Sequence, residues 1–382
     1  MPIQLPPGLT PQWRARSDDQ VLTAGTRVTA WRFELLDRRE VLIGDLEGVQ
    51  PGGSVDFSAS ASIKGGGSIT IVDIGQDIDW LNVRIRPVCT IEGLSREIPV
   101  GVWLPSAPTE DWSDLGRSWS VDLLDKASIL DGDIWTHPSS GNPEAFVAKA
   151  GQNVISVVRS LITQTGESVR AIENASVTLS SDRVFEAGMT RLQIINELLD
   201  SAGFFSLWVD YAGQFRATPY APPADRSPAY DVAAPFTAGD TSVMSPDFSR
   251  ERDIFSVPNK VFCSTSGDGE TEALTSVATN TDPNSPYSYP SRGRWITQIE
   301  SDVDAVSQSA LDLITRRKLA DATAVTSKLE LTHLFLPDLL INTTIRARND
   351  RAGIDQLCTV TNTSVSFDPL GTCSTKLQEV PL

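Results

Sequence analysis

Apolar and polar residues alternate through much of the first third of the chain, most clearly in DFSASASIKGGGSITI, residues 56–71. A two-residue period is typical of a β-strand with one buried and one solvated face. We interpret the stretch as a β-hairpin whose turn is the Gly-Gly-Gly run at 65–67. Its wet face, mostly Ser58, Ser60 and Ser62, offers no acid, base or metal ligand. Its apolar side consists of Phe57, Ala59, Ala61, Ile63, Ile69 and Ile71.

Alternating segments of this kind recur from residue 17 to residue 135, which we define as the first β block. Six or seven short antiparallel strands at this spacing predict a barrel or sandwich. One strand is expected to end at Pro105, and the block closes near Asp131. The proline-rich segment 1–16 before it predicts an extended arm. The alternating segments are TRVTAWRFELLD, REVLIGDLEGV, SVDFSASASI, GSITIVDI, WLNVRIRPVCTIEG, EIPVGVWLP and SWSVDLLDKASIL.

Residues 145–220 change to a mixed pattern, which predicts a small α/β domain. Apolar residues at helical spacing follow Asn153, which indicates a first helix. Thr190 and Gln193 have the spacing of a capping box, so a second helix should begin there and end at Gly203. The segment FFSLWVDYAGQFRATPY then predicts a β-hairpin with its turn at 211–213.

The remaining sequence predicts a linker and a second β block. APPADRSPAYDVAAP, within residues 221–239, is rich in Pro and Ala and is typical of a stiff linker. Residues 240–382 are predicted to form a β-barrel-like domain with a helix at about 302–320. The final hairpin should turn at 368–371. The predicted apolar face of the helix consists of Val303, Val306, Ala310 and Leu313.

Length and charge narrow the class of protein. A chain of 382 residues can form two to four domains, each with its own core. Its formal charge of −17 argues against a surface built to grip nucleic-acid phosphates. No apolar run is long enough to span a membrane, and MPIQLPPGLTPQW does not have the pattern of a signal peptide.

The sequence offers few groups for catalysis. The two histidines, His137 and His333, lie in different blocks, and no Gly-x-Ser-x-Gly elbow is present. IKGGGSIT lacks the spacing of a phosphate loop and is followed by a predicted strand. The four cysteines form no CxxC pair, so we expect reduced, structural thiols. We therefore predict no catalytic, cofactor-binding or metal-binding residue, no cofactor and no enzyme activity.

Two groups of residues leave alternatives open. Grouped acids could supply the carboxylate pair of a polysaccharide-degrading glycoside hydrolase. Tryptophans concentrated in the first third could pack in the core, form an interface, or stack on sugars in a carbohydrate-binding protein. The acids are Asp73, Asp77, Asp79, Asp122, Asp125, Asp131 and Asp133. The tryptophans are Trp13, Trp31, Trp80, Trp103, Trp112, Trp119 and Trp135.

From Trp80 onward the order of segments resembles a known family. The strand WLNVRIRP, the following IPVGVWLPSAP and the later SWSVDLLDKASIL are similar to baseplate hub proteins of long-tailed bacteriophages. These are minor tail proteins related to the hub of contractile-tailed phages. The helix-plus-hairpin pattern in LQIINELLDSAGFFSLWVDYAGQFRATPY and the final strands follow in the family's order. The resemblance covers about residues 17–380.

The resemblance implies an α+β, mainly β protein with two similar antiparallel β-barrel domains and the small α/β domain between them. Three copies would form a ring-shaped homotrimer that matches a sixfold tail tube to a threefold tip. The implied partners are the distal tail or tail tube protein, the C-terminus of the tape-measure protein, and receptor-binding or fibre proteins. DNA would pass through the channel without specific binding.

The resemblance also suggests a location and a use for the serine-rich strand face. The protein would belong to the virion, at the tail tip or baseplate, after assembly in the host cytoplasm. A small-polar strand face suits the wall of a channel or a contact with a neighbouring ring. Three copies would carry a formal charge of −51, and an acidic lumen would let DNA phosphates slide past.

Overall fold

The computed structural model describes residues 21–22, 27–114, 116–222, 225–226, 230–232, 243–252, 255–265, 273–303, 305, 308–324, 327–337, 339–349 and 353–380. The predicted arm at 1–16, with Trp13, lies outside these residues, as does Val306. The described chain is mainly β with a few helices, which confirms the predicted α+β class.

Twenty-one strands are described. They are β1 Thr29–Leu36, β2 Leu42–Asp45, β3 Ser54–Ser58, β4 Gly65–Val72, β5 Arg84–Ile91, β6 Ile98–Pro99, β7 Trp103–Ser113, β8 Gly116–Asp125, β9 Phe146–Ala148, β10 Arg183–Phe185, β11 Trp208–Val209, β12 Phe215–Arg216, β13 Tyr230–Val232, β14 Met244–Arg252, β15 Lys260–Ser264, β16 Thr275–Thr279, β17 Thr297–Glu300, β18 Ser327–His333, β19 Thr344–Asn349, β20 Ile354–Ser366 and β21 Cys373–Glu379. The helices are α1 Ala127–Asp131, α2 Val154–Thr163, α3 Arg191–Ser201, α4 Tyr289–Arg292 and α5 Gln308–Ala324.

Fourteen strands form one main sheet that unites the two β blocks. Its path is β14-β18-β21-β20-β3-β4-β8-β7-β5-β1-β2, with β6, β13 and β19 attached beside it. The blocks meet where β3 pairs antiparallel with β20, from Asn362 opposite Ser58 to Ser366 opposite Ser54. This path of named strands ends at β14 and β2, although an isolated antiparallel bridge between Val49 and Ile71 joins the segment after β2 to β4. No closed barrel is found among the described strands, so the two predicted barrel domains stay a prediction.

The two blocks also share a hydrophobic core. Phe367, which follows β20, packs edge-on against Trp31 and Phe33 of β1, with ring centroids 5.0 and 5.3 Å apart. Phe335 from the second block lies 5.7 Å from Trp31. These contacts join residues some 300 positions apart in the sequence, so the two blocks pack directly against each other. Burial of these aromatic rings is the dominant favourable contribution there.

The glycine run at 65–67 is not a hairpin turn, contrary to the prediction. The turn between β3 and β4 lies at 59–64, and the glycines open β4. Gly67 pairs with Val55, and a Cβ on Gly67 would lie 2.3 Å from the Ser54 carbonyl oxygen and 2.7 Å from Val55 Cγ1. Glycine is used here because the strands approach closely, not because the chain reverses.

The small α/β unit follows the predicted local signals. The Asn153 side chain accepts a hydrogen bond from the backbone N–H of Ser156 and caps α2. Thr190 and Gln193 make the complete capping box of α3, and Gly203 adopts the expected positive φ of 74°. The predicted hairpin with its turn near 211–213 is β11 and β12. These features needed only short-range information, and each is confirmed.

The linker and the long helix of the second block differ from the prediction. Part of the predicted linker 221–239 is strand β13, which pairs parallel with β19. The helix predicted at 302–320 begins at Gln308, after Asp302 adopts a positive φ of 58°. Its buried residues are Leu311 and Thr315, and Leu313, predicted to be buried, is 65% exposed. Val303, which was predicted to lie in this helix, precedes it and packs half-buried against the core of β15 and Leu311.

The cysteines are as predicted in the described structure. All four are free and buried, in four different strands of the two blocks. Cys373 begins β21 just after the predicted turn at 368–371, where the Gly371 N–H donates to the Asp368 carbonyl oxygen. Burial raises the pKa of Cys89 to about 12, so this thiol stays protonated and unreactive near neutral pH.

Candidate assembly surfaces

One side of the main sheet carries small polar residues across seven neighbouring strands, and we call it the polar face. Residues that pair across strands point to the same side of a sheet, so matched rows define it. Its members are Ser54, Asp56, Ser58, Ser68, Thr70, Ser118, Ser120, Asp122, Ser249, Glu251, Lys328, Glu330, Thr332, Asn362, Ser364, Ser366, Ser374, Lys376 and Gln378. They are exposed or half-buried, while their neighbours in the same strands mostly face the cores. The predicted wet face around Ser58 is thus one part of a much wider surface.

The two outer strands of this region, β14 and β7, lack a full strand partner on one side among the described residues. β14 pairs only with β18, and β7 pairs with β5 only at Trp103 opposite Ile85. β7 was predicted to end at Pro105 but continues to Ser113. A proline removes a backbone donor, which a strand with one unpaired edge tolerates. A bulge near Ala107, whose φ is +43°, accommodates the second proline, Pro108.

The far end of the β7–β8 hairpin, together with the loop after β4, forms an exposed cluster that we call the aromatic tip. Its packed centre comprises Trp80, Trp112, Arg117 and Trp119, and Ile74 and Leu81 are exposed on the flanking loop. The Arg117 guanidinium lies 5.4 Å from the centre of the Trp112 ring and 5.3 Å from that of Trp119. The Trp80 ring lies 5.8 Å from that of Trp119. These cation–π and aromatic contacts give the tip a defined shape.

Carboxylates hold the central arginine of the aromatic tip in place. Arg117 donates to Asp73 and to Glu110, the latter at 3.0 Å. A hydrogen bond from the Gly75 N–H, and the one from Arg117, hold the pKa of Asp73 below its usual value. Asp73 is therefore ionised near neutral pH and positions the Arg117 guanidinium between the two indoles. The arrangement orders a side chain that would otherwise be mobile.

Three of the other acids proposed for a glycosidase pair, Asp125, Asp133 and Asp79, have structural partners. Asp125 is buried and accepts hydrogen bonds from the Gly65 and Ala127 N–H groups, both at 2.7 Å. Burial raises the pKa of Asp125 to about 6. Asp133 binds Arg191 at 2.6 Å, and Asp79 accepts from Asn82. Asp122 lies on the polar face, and no contact of Asp77 or Asp131 bears on catalysis.

The remaining candidate chemistry is also accounted for by packing. The His333 ring lies between the Leu334 carbonyl oxygen and the Thr375 hydroxyl, each at 2.8 Å, and burial lowers its pKa to about 4. His137 lies in a loop beside Trp135. In the described part of the chain, no three His, Cys, Asp or Glu residues are grouped as metal ligands. No helix of that part is long and apolar enough to cross a bilayer.

Sequence reasoning missed a buried ion cluster that joins the first β block to the α/β unit. Lys126, 1% exposed, contacts Glu40 and lies 2.9 Å from Glu167. Arg84 contacts the same two carboxylates. Although burial opposes ionisation, these cations hold the pKa of Glu167 below its usual value. Lys126 also donates to the Gly213 carbonyl oxygen at 3.0 Å, so the cluster fixes how the unit sits on the sheet.

A groove of about 670 Å³ lies between the α/β unit, α5 and the ends of β20 and β21. On its wall, the Arg317 guanidinium lies 3.9 Å from the centre of the Tyr220 ring. The Tyr220 hydroxyl donates to Asp321 at 2.7 Å. Burial, and this hydrogen bond, raise the pKa of Tyr220 to about 12. Three residues of the groove wall, Tyr220, Arg317 and Asp321, are thus engaged with one another.

Comparisons with known proteins identify the fold. The tail protein from Neisseria meningitidis MC58 aligns with a TM-score of 0.64 at 14% identity, over 92% of this chain and 97% of that one. The 43 kDa tail protein of prophage MuSo2 from Shewanella oneidensis gives 0.64 at 13%, over 92% and 98%. Prophage tail protein gp18 from Listeria monocytogenes EGD-e gives 0.56 at 10%, over 91% and 94%.

Sequence comparisons add no assignment, since no protein-family model and no curated protein matches the chain. The structural similarities extend over nearly the whole of each chain, so the fold is that of tail proteins, including those of prophages. This confirms the predicted resemblance to phage tail proteins at the level of the fold. At such low identity the similarity does not extend to particular residues.

Proposed function

We propose that this protein is a structural hub of a phage tail tip, in which three copies surround a channel. The observation that carries the proposal is the run of eight strands from β14 to β7, with a buried face on one side and the polar face on the other. The fold shared with tail proteins supports it. A wide surface of small hydroxyl side chains has no catalytic use but is suited to line a passage.

The sheet topology suggests how the ring is built. The second block contributes β14, β18, β21 and β20 to the run, and the first block contributes β3, β4, β8 and β7. Each chain thus supplies two four-strand units, and three chains supply six. β14 of one copy would lie beside β7 of the next, since neither has a full strand partner on that side in the described part of the chain. Prolines in both strands, including Pro105 and Pro246, favour side-by-side packing over a continuous hydrogen-bonded ladder.

Charge on the polar face suits the passage of DNA. Four carboxylates and two lysines are distributed over it, with Lys376 opposite Glu330 in the sheet register. Phosphates would find no cluster of cations to hold them. In this proposal the tape-measure C-terminus and DNA use the channel in turn. The tail tube or distal tail protein covers one end, and receptor-binding or fibre proteins attach to the other side of the tip.

The mass of the purified protein in solution tests the hub. We expect particles of three times the chain mass, and we expect three copies around the axis of the tail tip in electron cryomicroscopy of intact tails. A strict monomer at micromolar concentration, together with its absence from the tail tip, would overturn the proposal. Hydrolysis of polysaccharide by the purified protein would instead favour the glycosidase alternative.

A further inference from the structure

We infer that the aromatic tip is the docking surface for another tail protein, one that presents an apolar pocket bordered by Lys and Arg. This inference rests on the proposed function and identifies which surface of the hub meets the neighbouring ring. Three of the tip's side chains are largely uncovered: Trp112 is 74% exposed, Leu81 88% and Ile74 55%. Large apolar side chains gathered at one exposed place are typical of an interface that a partner completes.

The tip continues the core face of the sheet beyond the point where the core ends. On β8, Val121 is fully buried, Trp119 half-buried, and Arg117 lies next on the same side of the strand. Trp112 pairs with Arg117 in the register and completes the row, yet most of its surface stays exposed. An indole held by a guanidinium on one side and uncovered on the other has little rotational entropy left to lose. Such ordered Trp and Arg residues are frequent centres of binding energy.

Charge around the tip specifies the chemistry of the partner. The two segments that form it, 72–82 and 109–119, contain six carboxylates and a single cation, Arg117. Arg117 is already neutralised by Asp73 and Glu110. The apolar centre is therefore surrounded by net negative charge, on a chain that is itself strongly acidic. A second copy of this chain would be repelled, whereas a basic rim on a different protein would be attracted.

The position of the tip agrees with contact to a stacked ring. At the other end of the same hairpin, Trp103 of β7 pairs with Asp125 of β8. The next residue in the sequence is Lys126, which belongs to the buried ion cluster that holds the α/β unit. Eleven residues of β7 separate the two ends by about 35 Å. The α/β unit and the tip therefore occupy opposite ends of the sheet. In a ring with the polar face lining the channel, three tips would surround one mouth of that channel.

A sugar is a less suitable ligand for this surface. Glycan sites combine an open aromatic face with polar groups free to bind hydroxyls. Here Arg117 lies over the Trp112 ring, and Glu110 and Asp73 are occupied by Arg117. Ile74 and Leu81 add aliphatic surface that gains most from burial against apolar protein. Binding to a glycan is therefore kept as an outcome of the test.

Site-directed photo-cross-linking in assembled tails tests the inference. Because the four native cysteines are buried, Ser113→Cys provides a thiol at the tip that can be labelled with benzophenone maleimide. We expect cross-links from this position to a different tail protein. Cross-links only to a second copy, or none in tails that contain the trimer, would overturn the docking surface while leaving the hub intact. Failure to find the trimer at all would overturn the hub itself.

Affinity for purified tail tubes lacking this protein gives a second test. Trp112→Ala should weaken binding of the trimer more than about tenfold, and Glu110→Lys with Asp111→Lys should slow association and reduce its salt dependence. Phe255→Ala is the matched control, since this aromatic is 72% exposed and also lies beneath an arginine, Arg294 at 4.5 Å. Equal loss in the control, or Trp112-dependent binding to a glycan array without loss of tube binding, would contradict the inference.

Discussion

The two ends of strand β7 show how differently one kind of residue can be used. Trp103 at its base is 1% exposed and donates its indole N–H to the Val100 carbonyl oxygen at 2.7 Å. It packs against Phe57, 5.5 Å away. Trp112 at the other end is 74% exposed and stacks with Arg117 of its own hairpin. The base stabilises the monomer, while the tip adds a fixed apolar surface that the monomer does not need.

The largest expected effect is the difference in the free energy of unfolding between alanine variants of these two tryptophans. Trp103→Ala should lower the free energy of unfolding by about 3 to 5 kcal/mol, because it removes a fully buried indole from the shared core. Trp112→Ala should change it by less than about 0.5 kcal/mol. Denaturant unfolding of the two variants measures both values. A large loss for Trp112→Ala would mean that the tip is part of the folding core and not a surplus surface.

The charged groups at the two ends should differ in their pH dependence. The pKa of Asp125, opposite Trp103, is raised to about 6 from an ordinary 3.8. Between pH 4 and 6 the folded chain therefore keeps a proton that the unfolded chain has lost. Asp125 alone should therefore lower the free energy of unfolding by about 3 kcal/mol as pH rises through this window. Buried His333, whose pKa is lowered to about 4, acts in the opposite direction over the same window, so the contribution of Asp125 is the difference between wild type and Asp125→Asn. Asp125→Asn should gain stability relative to wild type as pH rises from 4 to 6.

Asp73 at the tip is the control for the pH experiment. Its pKa is lowered, so any stability that it contributes is present above its ordinary value of 3.8 and is lost only as the pH falls below it. Asp73→Asn should therefore leave the pH 4 to 6 slope unchanged. Unfolding curves at a series of pH values decide the matter. The same slope in wild type and Asp125→Asn would show that another group is responsible.

Sequence patterns predicted the structure well where the deciding interactions were local. The Thr190 and Gln193 capping box and the Gly203 helix end depend on residues within one or two turns, and both are confirmed. The join between β3 and β20 could not be predicted in this way, because it brings together residues some 300 positions apart. Alternation shows that a strand has two faces but not which strand lies beside it.

The aromatic tip was missed for a related reason. Pro105 was interpreted as the end of a strand, as it would be in the middle of a sheet. β7 continues because most of its second edge has no partner within the described chain, so the missing donor breaks no ladder. Trp112 was therefore named among seven tryptophans, and its place at the exposed end of β7 was not predicted. The signal that could have located it is the alternation of TEDWS after the prolines.

The smallest expected effect is a difference in stability between alanine substitutions at two adjacent glycines of β4. Gly67→Ala should cost about 1 to 3 kcal/mol, because its Cβ would meet the Ser54 carbonyl oxygen at 2.3 Å and backbone cannot easily move aside. Gly66→Ala, whose Cβ would find its nearest neighbour at 3.8 Å, should be neutral or slightly stabilising. Both changes remove the same flexibility from the unfolded chain, so their difference measures only the close approach of β3 and β4. Equal losses would instead mean that the glycine run serves flexibility, as a turn would, and the explanation by strand contact would be wrong.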